Sequence, residues 1–498
     1  MGLACRSPGL RALSLHPVRL RRIRCSKEDL KGQRVAVIGL GISGKAATKL
    51  ALARGASVVA VDKNEQLLPF ECDHEFAGSA NLQTILGNCD VVQLEKADKI
   101  VVSPGVPLEE YSLSTLMKFG KRVMSEIDFA AEVLPPNIKV LAVTGTNGKS
   151  TVTSFAGQIL QHLGIKAFVG GNLGKPLSEA AMHCLNCSSE DIYQVAVVEV
   201  SSYQLEIPNH YFLPSAAVIL NLTPDHLERH LTMQNYAAIK CRLFSKMKDG
   251  KVALLPLGNP ILNKAFRDHA NGCNVTWIGD FPGMKMDMEA KVATFRVATT
   301  GLDGHLQLGG LRAMGAHNYT NAAIAAFLVL GLDVGADCHF ISSMMGKLTL
   351  LPHRMQVVCT DARGVTCVND SKATNIESTY TALLSLKDQK LIVLLGGVAK
   401  VASGKGSNGF ERLVELLKHH RAVISFGSSA EMIYEILLDG GLGIPCITAK
   451  NLEEAVKYAK SIADTGDVIL LSPACASFDE FRNFEHRGQV FQELALIS

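Results

Sequence analysis

Lys149, Ser150 and Thr151 close the run VLAVTGTNGKST (Val140–Thr151), and their chemistry is that of a phosphate cradle. In such a cradle, backbone N–H groups of a glycine turn and the positive end of a helix face the anion. A lysine adds a point charge, and a hydroxyl reaches a divalent cation. Val140–Val143 reads as the buried strand before the turn, and a helix follows to about Leu163. The usual motif has glycine six residues ahead of the lysine. That position is Val143 here and Gly145 stands closer in, so the loop is shortened. A chance Gly-Lys-Ser loop is the bland alternative, and the flanking strand and helix weigh against it.

Other reactive residue types sit where strands should end. The apolar strand Val195–Val200 is interrupted by Glu199, and a buried carboxylate calls for a cation, here Mg²⁺, or else a structural ion pair. Asn172 follows Gly170 and Gly171, which allow close approach of backbone to a ligand or simply make a flexible turn. Asp225 and His226 follow the strand Ala216–Leu220. His317, Asn318 and Asn321 are spaced to share a helix face, with capping the alternative for Asn318. Lys240, on a helix predicted over Met233–Lys248, reads from spacing alone as a solvated lysine.

The elements that must position these residues fall into three groups. Arg34–Leu40, then Gly39, Gly41 and Gly44, a helix to about Arg54, and the strand Ser57–Val61 ending at Asp62 form a dinucleotide fingerprint. Its physics supports only a pyrophosphate on a helix N-terminus, which NAD and UDP both carry. Ser103–Pro107 is a turn at the end of the strand Lys99–Val102, either a ligand-binding strand end or a loop stiffened by two prolines. Beyond the Pro135–Pro136 break comes the phosphate-loop segment, with shorter strands and glycine turns between about 250 and 310. After Leu351–Arg354, strands and helices alternate again. Their ends carry Asn369–Asn375, Gly396–Lys400 and Ser472–Ser477, which read together as a ligand crevice. Ser403–Gly409 is glycine- and serine-rich and reads as mobile.

A chain of 498 residues exceeds one core, and 47% hydrophobic with 19% charged residues is an ordinary globular composition. The longest apolar candidate, Ala322–Leu332, falls short of the roughly 20 residues that span a bilayer, so no membrane association is expected. Thirteen scattered cysteines suit reduced thiols, and Cys184 and Cys187 form a lone CxxC that does not make a zinc site. Residues 1–27 hold six arginines and one lysine but no acid, so the remaining chain falls from a formal net charge of +3 to −4. This segment reads as a disordered transit peptide for an organelle. A plain basic tail and a nucleic-acid arm are the alternatives, and the lack of interleaved aromatics disfavours the arm.

The stretches GTNGKST, GGNLGKP, VVEVSSYQLE, NLTPDHLERH, YAAIKCRLF, GAHNYTNAAIA, LPHR, NDSKATN and LSPACASFDEFRNFEHRG resemble the Mur ligases. The last two resemble the branch that adds D-glutamate to UDP-N-acetylmuramoyl-L-alanine. The resemblance spans nearly everything from residue 28 and implies an α/β fold of three domains. These are a Rossmann-like UDP-substrate domain (28–126), a central P-loop ATPase-type domain with a mostly parallel sheet (127–350) and a Rossmann-like amino-acid domain (351–498). It also implies ATP and Mg²⁺ as cofactors, an acyl phosphate as intermediate, a monomer, and no nucleic-acid partner. By the same resemblance, Gly145, Thr146, Asn147, Gly148, Lys149, Ser150, Thr151, Asn318, Asn321, Arg354 and Asp370 bind ATP. Ser150 and Glu199 take one Mg²⁺; His226 and a carbamylated Lys240 take a second, so that Lys149, Glu199, His226 and Lys240 are the catalytic set. Ile42, Ser43, Asp62, Ser103, Gly105, Asn172 and His226 fall on the UDP-substrate side. Arg354, Lys372, Thr374, Lys400, Ser477 and Phe478 fall on the D-glutamate side, with His353 at the hinge. This chain has GGVAK where the family usually has GGDGK. The basic leader, absent from bacterial members, suggests a plastid version, with the cytoplasm as the alternative. An NAD-dependent oxidoreductase, resting on Gly39–Gly44, and a catalytically idle organelle scaffold are the competing classes.

Overall fold

The computed structural model describes residues 29–497 apart from 189–190, 249, 270–272, 274, 313–314 and 400–408; the basic leader and Lys400 lie outside the described residues. The chain builds three sheets in sequence order. The first consists of β1 (Arg34–Ile38), β2 (Ser57–Asp62), β3 (Leu82–Leu86), β4 (Lys99–Val102) and β5 (Val123–Ser125), in the spatial order β3-β2-β1-β4-β5, all parallel.

The central sheet holds β6 (Lys139–Thr144), β7 (Ala167–Gly171), β8 (Val195–Glu199), β9 (Ala216–Ile219), β10 (Val252–Pro256), β11 (Val275–Ile278), β12 (Gly283–Asp287), β13 (Val292–Val297) and β14 (Leu302–Gln307). Its order is β14-β13-β12-β11-β10-β9-β6-β8-β7, parallel from β7 to β12 and antiparallel beyond. The third sheet holds β15 (Gln356–Thr360), β16 (Thr366–Asn369), β17 (Leu391–Gly396), β18 (Ala422–Phe426), β19 (Cys446–Ala449) and β20 (Val468–Ala474), ordered β15-β16-β20-β17-β18-β19 with only β15 antiparallel. The expected three-part α/β architecture with mostly parallel sheets is what the chain adopts.

Parallel sheets are covered on both faces, so their strands read as continuous apolar runs. Leu141, Ala142 and Val143 of β6 are fully buried, the leucine and the valine each contributing about 1.5–3 kcal/mol. β6 lies between β8 and β9, with Val143 beside Glu199 on one side and Val218 on the other. Val143, the missing first glycine of the loop motif, is therefore an ordinary strand residue, and the turn begins after Thr144. The helix predicted over Met233–Lys248 ends earlier, at Cys241, and continues as a single tight turn over Arg242–Phe244. Among the described residues no helix is long and apolar enough to cross a membrane, and the described cysteines are free thiols.

Candidate active site

The phosphate loop is fixed before any ligand arrives. Gly145 has φ +149°, and a Cβ there would stand 3.0 Å from Leu220 Cβ, so only glycine lets the loop pass over β9. The Asn221 side-chain oxygen accepts from the N–H groups of Thr146 (3.0 Å) and Asn147 (2.9 Å), and its amide donates to the Asn147 carbonyl (3.0 Å). Lys149, the first residue of the helix Lys149–His162, folds back so that Nζ donates to the carbonyls of Gly145 (3.0 Å) and Thr146 (2.8 Å).

A cavity of about 230 Å³ opens above this loop. The central domain supplies Thr146–Ser150, Asn172, Glu199, Asp225 and His226 to its wall, and the last domain supplies Arg354, Lys372, Thr374, Asn375 and Phe484. The two halves touch directly: Ser378 Oγ donates to Asn147 Oδ1 at 2.8 Å. Glu199 is 3% exposed, with Oε1 accepting from Asn172 Nδ2 (3.2 Å) and Oε2 lacking a hydrogen-bond partner. A buried carboxylate oxygen left open beside a phosphate loop suits a cation. Among the described residues no cluster of three or more His, Cys, Asp and Glu is placed to hold a metal. The donor set therefore suits Mg²⁺ shared with phosphate oxygens, which needs only one or two carboxylates.

Lys240 corrects the expectation from spacing. It is 1% exposed and lies behind the phosphate loop, where Nζ donates to Gly145 O (3.1 Å) and stands 4.5 Å from the Tyr236 ring centroid. Burial, and then the Lys149 charge, hold its amine well below the usual lysine range. Lys372, over the Phe484 ring at 5.4 Å, is pushed down to about 8 by burial, with Arg354 adding to the shift. Tyr203 Oη lies 2.6 Å from His226 Nδ1.

Two further clefts adjoin this cavity. One, of about 140 Å³, is lined by Asn147, Gly148, Thr151, Asn321, Arg354 and Asp370 together with His317. Asn318 is fully buried behind it and accepts from Asn321 Nδ2 (3.2 Å), so it orients Asn321 and does not face the cleft. Asp370 is raised to about 6 by burial, against the opposing pull of Arg354. The other cleft, of about 420 Å³, lies in the first domain and gathers Ile42, Ser43, Asp62, Ser103, Gly105 and Asn172. There Asp62 Oδ2 accepts from Leu40 N (2.7 Å), Oδ1 accepts from Asn64 N (2.9 Å), and Ser103 Oγ donates to Gly39 O (2.7 Å).

Not every expected residue gathers. Ser477 is buried and Phe478 is 73% exposed, and neither lines the reaction cavity. Phe484, unnoticed in the sequence, takes an aromatic place there, and its signal was the helix cap: Asn483 accepts from His486 N. His353 is buried in the last domain, where Nδ1 lies 3.0 Å from Asn369 Nδ2. Ser378 and Arg229 are further residues that spacing did not single out.

Three family models match this chain: a MurD-like Mur ligase N-terminal domain over 33–125, the Mur ligase middle domain over 143–329, and the Mur ligase glutamate ligase domain over 353–475. A UDP-N-acetylmuramoylalanine–D-glutamate ligase of Koribacter versatilis is 35% identical over 94% of this chain and 98% of its own length. The ligase of that name from Desulfotalea psychrophila is 36% identical over 93% and 95%. Among solved structures, a MurF ligase of Thermotoga maritima in complex with ADP aligns with TM-score 0.55 and 16% identity over 95% of this chain and 98% of its own. A pseudomurein peptide ligase of Methanothermus fervidus aligns with TM-score 0.55 and 19% identity over 93% and 100%. At these identities the structural matches establish the fold.

Proposed function

The chain belongs to the Mur ligase family, and from that premise we propose that it joins D-glutamate to UDP-N-acetylmuramoyl-L-alanine, an ATP-dependent step of peptidoglycan precursor synthesis. One observation carries the reading: the three clefts stand in series and share lining residues. Asn172 borders both the first-domain cleft and the reaction cavity, and Asn147, Gly148 and Arg354 border both the reaction cavity and the cleft of Asn321 and Asp370. A substrate with its uridine nucleotide in the first cleft thus extends its alanyl carboxylate toward the γ-phosphate of an ATP held by the second.

Oxygen of that carboxylate attacks the γ-phosphorus, ADP leaves, and an acyl phosphate forms. The glutamate amine then attacks the acyl carbon, a proton is lost, and phosphate departs to leave the amide. Positioning and charge compensation dominate such chemistry. Lys149 meets the phosphates, Asn321 the base and Asp370 the ribose. Lys372 and Arg354 face the amino-acid carboxylates, and the Phe484 ring excludes water beside them. Ser150 and Glu199 would hold one Mg²⁺, and His226 with a carbamate on Lys240 a second; such ions would supply positive charge against the phosphates. The glycine fingerprint of the first domain serves a UDP pyrophosphate in this scheme.

The test is phosphate release from ATP in the presence of UDP-N-acetylmuramoyl-L-alanine, comparing D-glutamate with L-glutamate, lysine and diaminopimelate. Release that depends on D-glutamate is expected. Equal release with all four, or none, overturns the assignment.

A further inference from the structure

We infer that Arg229 is a positioning residue that couples the turn closing the first-domain cleft to the orientation of His226 in the reaction cavity. The inference rests on the reading above, in which one substrate spans both places.

Arg229 belongs to the short helical turn Leu227–His230, which begins on His226. Its guanidinium reaches across the domain boundary: Nη2 donates to the Val106 carbonyl (2.9 Å) and Nη1 to the Pro104 carbonyl (3.4 Å). These carbonyls belong to the turn whose Ser103 and Gly105 line the UDP-side cleft. On its own side, Nε donates to both carboxylate oxygens of Glu206, at 2.8 and 3.1 Å. The guanidinium carbon stands 4.4 Å from the centroid of the Tyr203 ring. A planar fork that meets a carboxylate, two carbonyls and an aromatic face at once has one orientation, which a lysine cannot reproduce.

Tyr203 carries the contact onward. Its hydroxyl lies 2.6 Å from His226 Nδ1 and 3.5 Å from Glu228 Oε1, and the two rings meet at 4.8 Å with a 59° tilt. Nδ1 thus lies between the Tyr203 hydroxyl and Glu228 Oε1 (3.4 Å), and Nε2 stands 3.5 Å from Asp225 Oδ2, so the ring's orientation depends on where Tyr203 stands. A second route runs through the backbone. His226 is held at φ +55°, and the N–H groups of Arg229 and His230 donate to its carbonyl at 3.1 and 3.0 Å. Filling the first cleft presses on the Pro104–Val106 turn, and both routes lead from there to the imidazole.

The test separates coupling from a simple strap between domains. R229K keeps charge and reach but loses the fork; Y203F keeps the ring under the guanidinium but removes the hydroxyl. Two quantities are read: the Kd of UDP-N-acetylmuramoyl-L-alanine by calorimetry without ATP, and kcat for phosphate release at saturating substrates. Y203F is expected to lower kcat about tenfold, the usual scale for a group orienting a ligating histidine, with Kd within about twofold of wild type. R229K is expected to raise Kd severalfold and to lower kcat about tenfold. The double variant should have a kcat no lower than the poorer single variant, because the two residues act in series. If the kcat losses multiply to about a hundredfold, or R229K leaves kcat unchanged, Arg229 is only a strap and the inference falls. If R229K fails to fold, as read from its thermal midpoint, E206Q loosens the same guanidinium and its cycle with Y203F must meet the same criterion. If the wild-type chain does not bind the UDP substrate, the functional reading fails and the coupling with it. Binding with the wrong pattern among the variants overturns the coupling alone.

Discussion

Two loops of this molecule share a plan, strand then glycine turn then helix with a Gly-Lys pair, and differ in what the lysine does. In the first domain Lys45 follows Gly44 inside the helix Ile42–Ala53, and its ammonium pairs with Asp73 (2.6 Å) and with Glu75, outside the cleft lining. In the central domain Lys149 opens its helix, donates to two loop carbonyls and lines the reaction cavity. Carbonyl oxygens hold an ammonium in place without neutralising it, whereas two carboxylates do neutralise it. Under the proposed function the first loop meets a diphosphate that does not react, with a helix N-terminus and no cleft-facing lysine. The second sets its lysine in the wall of the cavity, where, in the proposed reaction, it meets phosphates whose charge is redistributed.

Paired variants break this comparison most sharply. K149M is expected to lower kcat by about 10²–10³-fold, the scale for removing one preorganised electrostatic contact, while Kd for the UDP substrate stays within about twofold. K45M should leave both within about twofold. Equal losses in the two variants, measured by phosphate release and calorimetry, would show that the loops do not differ in this way. K240A should cost nearly as much turnover as K149M, although Lys240 lines no cleft. Burial lowers the proton affinity of its amine, which favours the uncharged form that reacts with carbon dioxide. Wild-type activity is expected to rise with added bicarbonate below neutral pH. An active K240A variant would show that the carbamate is not needed.

Smaller effects separate the two clefts on either side of the phosphate loop. Asp370 is raised to about 6. Its folded form is stabilised relative to the unfolded one fully below its ordinary range near 3.8, and that contribution is lost as pH rises through 6. The ionised carboxylate is the better acceptor for ribose hydroxyls, so ATP affinity should increase through the same window. D370N should flatten both profiles. Lys372, lowered to about 8, titrates the other way: D-glutamate affinity should fall as pH rises through 8, and K372R should remove that fall. ATP affinity unchanged between pH 5 and 7 would place Asp370 outside the ribose site.

Apolar runs bounded by polar strand ends were legible in the sequence. β16 and β18 have the ends that the runs Thr366–Asn369 and Ala422–Phe426 suggest, because strands covered on both faces have apolar centres, here Cys367–Val368 and Val423–Ile424. The edge strands β3, β15 and β19 were not legible, since their residues are half-buried and carry no such run. Lys240 escaped because its burial comes from the fold: Tyr236, Ala237, Ile239 and Cys241 are buried with it, and the exposed positions, Gln234 and Asn235, are confined to the helix's first turn. Phe478 and Phe484 exchanged places for a local reason. The chain leaves β20 through a turn that projects Phe478 into solvent, and Phe484 enters the cavity at the first position of the helix Phe484–Leu496, which Asn483 caps. The strand end Ser472–Ser477 lines none of the three clefts, and only the cap told which aromatic reaches the cavity.

The mildest variant reads the first loop most directly. The Ser103 hydroxyl donates to the Gly39 carbonyl at 2.7 Å, and a Cβ on Gly39 would stand 2.9 Å from Ser103 Cβ, so turn and loop are locked face to face. One neutral hydrogen bond of this kind contributes about 1 kcal/mol. S103A should therefore raise the Kd of the UDP substrate by roughly fivefold and leave saturating kcat within about twofold, because the bond shapes a binding loop and touches no reacting group. If Kd is unchanged, the loop is held by Asp62 and packing alone. If kcat falls instead, the first domain shapes the reaction as well as binding, and the division between a loop that binds and a loop that reacts gives way.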